Sequence, residues 1–121
     1  MEEDSGIIMV APQVLVTIAR SVTLDTPGVA RMSPVPGGFD RFLHRAGGPE
    51  GVKVEVEEGV VSVDLFIVAQ PQVNMLHLGQ EIQKEVARAI QQMVGMPVRE
   101  VNVHIQDVAF PQEEGVGEGS S

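Results

Sequence analysis

Residues 52–68 read VKVEVEEGVVSVDLFIV, and no other stretch restricts the fold as tightly. Val52, Val54 and Val56 alternate with Lys53, Glu55 and Glu57. After the EEG that follows, Val61, Val63, Leu65 and Ile67 alternate with Ser62 and Asp64. A period of two sends successive side chains to opposite faces of a strand. Two such runs around a Gly-containing turn make a β-hairpin with one buried face. Pro71 closes it. A sheet that is apolar on one side must bury that side, and the remaining segments supply helices to do so.

From Pro12, residues Val14, Leu15, Ile18, Ala19 and Val22 recur at the spacing of one helical face. Pro12 is tolerated in a first turn, where its missing N–H loses no partner, and DTPGVA (25–30) ends this helix. A second helix is predicted from about Val73 to Val94, with Met75, Ile82, Val86, Ala89, Ile90 and Met93 as its apolar stripe. Glu81 with Lys84, and Glu85 with Arg88, form i,i+3 pairs on its wet side. Gly95 is placed as a helix C-cap and Pro97 prevents continuation. A last strand runs from Val98 to about Val108, with Val101, Val103 and Ile105 inward and Glu100, Asn102, His104 and Gln106 outward. The apolar GIIMV (6–10) is a further strand candidate. The order is then β-α-loop-β-β-α-β: an α+β two-layer sandwich, with a small mixed sheet and two helices packed on one face. The second helix is long enough for a right-handed crossover.

The 121 residues make one domain, spanning 6–111. Residues 1–5 and 112–121 are acidic, nearly free of apolar anchors, and expected to be disordered tails. These tails hold six of the 17 acids and none of the eight bases, leaving 11 acids against 8 bases between them. Such a field disfavours unaided binding to nucleic acid or anionic lipid. The acidic start is unlike a signal peptide, and no apolar run approaches the ~18–20 residues that span a bilayer. Without Cys, disulfides, thiolate metal sites and Cys nucleophiles are excluded, which fits a cytoplasmic location.

Candidate chemistry is sparse. His44, His77 and His104 stand in neither an HxxxH nor an HExxH spacing. No Ser sits in a GxSxG context. GGFDRF and AGGPEG are not phosphate-binding loops, because neither leads into Lys-Ser/Thr nor forms a GxGxxG fingerprint. There is no Trp or Tyr to stack on bases. No catalytic residue, cofactor or metal ligand is therefore assigned. The solvent face of the sheet remains: Lys53, Glu55, Ser62, Asp64, Glu100, Asn102, His104 and Gln106. It is either a hydrated face or a surface for protein association, self-association included. Residues 31–51 form a Gly/Pro-rich loop whose Phe39 and Phe42 either fold over the core as a lid or await a partner. A rival reading joins His104 and Asp64, beneath the 31–50 loop, in a small-molecule-binding or weakly catalytic site, since an imidazole beside a carboxylate can act as a base.

GVKVEVEEGVVSVDLFIV and IQKEVARAIQQMVGMPVREVNVHIQDVAF together resemble the alkaline shock protein family of bacteria. That family shows a GVxVxV hairpin, an IQxxVxxAIxxMxG helix end and a VxxVNVxV strand. The likeness runs over about residues 6–110, with Gly51, Gly59, Gln83, Gly95 and Asn102–Val103–His104 in register. A departure is AQPQVNMLHLG, where family members commonly carry Tyr-Gly before the helix. The resemblance implies a non-enzymatic, homo-oligomeric protein tied to envelope homeostasis and stress. It implies work through protein partners, with the protein held at the inner face of the membrane by a small membrane-anchor protein rather than by insertion.

Overall fold

The computed structural model describes residues 6–37 and 50–110. The expected acidic tails, 1–5 and 112–121, lie outside the described residues, as do Phe39, Phe42, His44 and with them the question of a lid or a binding patch. The elements run α1 (Pro12–Asp25), β1 (Val29–Met32), β2 (Val52–Glu57), β3 (Val60–Ala69), α2 (Met75–Met93) and β4 (Val98–Val108).

The hairpin forms as its alternation requires. Glu58 and Gly59 both take positive φ, 54° and 79°, which is the type I′ turn that matches the twist of its two strands. Strand β3 is the centre of the sheet. It pairs antiparallel with β2 through Val52–Leu65 to Glu57–Val60, and parallel with β4 from Val61–Val98 to Ala69–Val108. The sheet is thus mixed, with α2 making the crossover between its parallel neighbours. The residues of β3 beyond the reach of β2 pair antiparallel with β1, Val29 opposite Ala69 and Met32 opposite Ile67.

β1 and β2 therefore lie end to end along the same side of β3. They meet at one residue: Ser33 N–H donates to the Phe66 carbonyl at 2.8 Å, and Phe66 N–H donates to the Gly51 carbonyl at 2.9 Å. The edge is a single strand in space, built from two pieces of chain.

Each helix has local reasons to begin and end. α1 carries Pro at its first turn; at its far end the Thr23 and Thr26 hydroxyls donate to the Ala19 and Val22 carbonyls at 2.7 and 2.9 Å, so these buried groups are satisfied. Asn74 caps α2 by accepting from the His77 N–H at 2.8 Å. Gly95, at φ 82°, returns its N–H to the Ile90 and Gln91 carbonyls, the left-handed helix ending expected of it. The two predicted i,i+3 ion pairs form, Glu81–Lys84 at 3.7 Å and Glu85–Arg88 at 3.3 Å.

The main core lies between both helices and one side of the sheet. Leu15, Val16, Ile18 and Ala19 of α1 and Leu78, Ile82, Val86 and Ile90 of α2 meet Val52, Val54, Val61, Val63, Leu65, Ile67, Ala69 and Val101. The α+β two-layer arrangement is as the alternation implied, with three local differences. GIIMV is not a strand: Ile7, Ile8 and Met9 are 83, 94 and 81 % exposed, and the place beside β3 that a further strand would take is filled by β1. Arg31 and Met32, expected in the loop, belong to that strand. The helical stripes are also rotated. Val14, Met75 and Met93 are exposed, while Val16 and Leu78 are buried in their stead.

Candidate interaction surface

Strand register sets the second face of the sheet in rows. Glu55, Ser62 and Glu100 form one; Lys53, Asp64 and Asn102 the next; Phe66 and His104 the third. Seven of the eight sheet residues singled out by alternation, Lys53, Glu55, Ser62, Asp64, Glu100, Asn102 and His104, thus share this face. Gln106 does not stay in row. The register shifts between Ile67–Ile105 and Val68–Asp107, which makes Gln106 the extra residue of a bulge.

The rows differ in exposure. Glu55 and Glu100 are exposed, whereas Lys53 is only 5 % and Phe66 1 % exposed, and Val68 is buried as well. Phe66 and Val68 stand apart from the main core cluster, on the opposite side of the sheet. The face is therefore open at the Glu55–Ser62–Glu100 end and covered toward Phe66. Lys53, expected at the surface, is not there.

Asp64 and His104 do meet. His104 Nε2 lies 2.9 Å from Asp64 Oδ1, and the imidazole stacks on the Phe66 ring with centroids 4.4 Å apart and planes 8° from parallel. The ring is held at an edge and a face. Chemically, a carboxylate that orients an imidazole serves equally as a cross-strand tie or as half of an acid–base pair. The tie has a measurable size: a double-mutant cycle with Asp64→Asn and His104→Phe is expected to give a coupling of about 0.5–1.5 kcal/mol in urea unfolding. Additivity of the two substitutions would show that the bond contributes nothing in solution.

Open concavities lie elsewhere among the described residues. One, of about 370 Å³, is lined by Pro27, Val73, Asn74, His77, Leu78 and Glu81. A second, of about 300 Å³, shares Pro27 and Glu81 and adds Val22, Asp25, Thr26 and Glu85. A third is lined by Arg20, Leu24, Arg31, Met32 and Glu50. That His77 and Glu81 both line the first was missed in the sequence, although an i,i+4 spacing on a predicted helix was the signal for it. Among the described residues no three His or acidic groups converge as a metal site, and no helix is long and apolar enough to cross a membrane.

A two-layer α+β domain with a partly open polar sheet face is the class these features define. The chain belongs to the alkaline shock protein 23 family, described as having a cell envelope-related function, whose family model matches residues 1–110. It is 25% identical over 107 residues to the uncharacterized protein YqhY of Bacillus subtilis, covering 87% of this chain and 78% of that one. It is 30% identical over 104 residues to the uncharacterized protein Spy1535 of Streptococcus pyogenes, covering 85% and 79%. Among solved structures, a zinc form of a MamM CTD variant superposes with a TM-score of 0.50 at 11% identity, over 81% of this chain and 87% of that one. That likeness is one of fold.

Proposed function

We propose that the protein is a non-enzymatic, self-associating adaptor for cell-envelope homeostasis or stress response, working through protein–protein contacts at the cytoplasmic side of the membrane. It acts without a cofactor, and a small membrane-anchor protein is its membrane-side partner. The observation that carries this reading is the open end of the sheet, where Glu55, Ser62 and Glu100 lie side by side outside the core. The family's envelope-related description supports the setting. A flat polar surface next to a strand edge suits a macromolecular partner better than a small ligand, which needs a concave site.

The test is affinity capture from a native lysate with membranes retained, using the parent chain and Glu55→Arg/Glu100→Arg. The parent is expected to recover a small membrane protein and to scatter as an oligomer at micromolar concentration. The double variant is expected to lose the membrane protein, while Glu81→Arg on α2 keeps it. A strictly monomeric parent that captures no protein would end this reading.

The 2.9 Å approach of Asp64 and His104 favours a second one, a small-molecule-binding or weakly catalytic domain centred on that pair. It requires that Asp64→Asn and His104→Gln abolish binding of a co-purifying metabolite. On the first reading both variants leave membrane-protein capture intact.

A further inference from the structure

We propose that residues 6–10 of one copy add as a strand to the outer edge of β4 in a second copy; this rests on the self-association proposed above and names its joint. Among the described residues GIIMV is a donor without an acceptor. Ile7, Ile8, Met9 and Val10 are all exposed, and the first three are nearly as open as in an unfolded chain. The segment joins no sheet among the described residues. Four consecutive large apolar side chains left in water are an association surface, and the Ile and Val among them favour strands.

The acceptor is on the other side of the molecule. β4 is eleven residues long and pairs only with β3 among the described residues, so its far edge has no strand partner, although Gln83 Nε2 donates to the Val101 carbonyl at 3.1 Å and Val108 N–H donates to Asp107 Oδ1 at 2.8 Å. Its core-side residues Val98, Val103 and Ile105 are only partly buried, leaving apolar surface for an incoming strand to cover. The opposite edge is less suitable, because it is broken where Ser33 gives way to Gly51.

Geometry separates donor from acceptor within one chain. α1, which leads out of the segment, packs over β1 and β2, whereas α2 covers β4. Five extended residues span at most about 17 Å, and crossing from one edge of the sheet to the other takes about 10 Å of that. Too little would be left to pair along β4. A neighbouring copy has no such constraint, and strand addition of this kind takes its affinity from main-chain hydrogen bonds and its register from alternate side chains.

The experiment uses the full chain. Ile7→Ser/Ile8→Ser lies outside the core, so its circular dichroism and thermal midpoint are expected to match the parent. Its association, followed by sedimentation velocity, is expected to weaken about a hundredfold or more. Because the chain has no Cys, Ile8→Cys chains can be mixed with Gln106→Cys chains and oxidised. A heterodimeric disulfide is expected there, and none when Glu55→Cys on β2 replaces Gln106→Cys. If the parent associates and the Ser variant associates equally, or if Ile8→Cys links to both sites alike, strand addition is wrong and self-association survives. A parent that stays monomeric throughout overturns both.

Discussion

Replacing Gly51 with Ala is expected to remove about 3–5 kcal/mol of stability, whereas Gly59→Ala costs about 1–2 kcal/mol, the usual penalty for a side chain in the left-handed region. The two positions have nearly the same backbone, with φ of 78° and 79°. Their surroundings differ. A Cβ at Gly59 would meet nothing within 4 Å; at Gly51 it would lie 2.6 Å from the Ser33 carbonyl oxygen and 2.9 Å from that of Phe66. Neither oxygen can move aside cheaply, since Phe66 accepts from Ser33 and donates to Gly51 at the junction of the composite edge. The difference between the variants in urea unfolding isolates the steric cost from the backbone cost. At about 4 °C per kcal/mol, it is also visible as a gap of several degrees in melting temperature. Equal losses would mean that β1 and β2 do not close on Phe66 in solution.

Phe66→Ala is expected to cost about 3–5 kcal/mol, as much as Ile82→Ala in the main core. The alternation of Ser62 and Asp64 would place residue 66 on the wet side. The structure buries it to 1 % exposure with His104 stacked against it. Truncation would leave a void under the imidazole and unsettle the Asp64–His104 bond. A loss under about 1 kcal/mol in equilibrium unfolding would show that this end of the second face is open to water, enlarging the surface offered to partners.

The hairpin, both helices and the final strand were legible because each carries five or more residues at a clear period. Their ends were legible too, through Pro12, Gly95 and Pro97. β1 was not, since the four residues VARM are too few to show a period and their place is set by β3, nearly forty positions away. GIIMV has strand-like residues, but propensity does not say whether a neighbour has a vacant edge. The Asp64–His104 meeting could be suspected only by assuming that their strands are neighbours; the parallel register of β3 and β4 supplies that fact. The covering of Phe66 did have a signal. Leu65 to Ala69 is an unbroken apolar run, the mark of a strand buried on both faces, and it outweighs the alternation that precedes it.

The edge assembled from β1 and β2 also bears on how this domain can diversify. Its two pieces abut at Phe66, so the chain leaves the sheet after Ser33 and returns at Gly51 almost where it departed. A detour with such closely set ends can lengthen or shorten at little thermodynamic cost, each doubling adding about 0.6 kcal/mol of closure entropy. The rungs on either side keep their alignment whatever the excursion holds. The fold thereby offers one interval where new recognition elements can be grafted while the ribbon beneath stays unchanged.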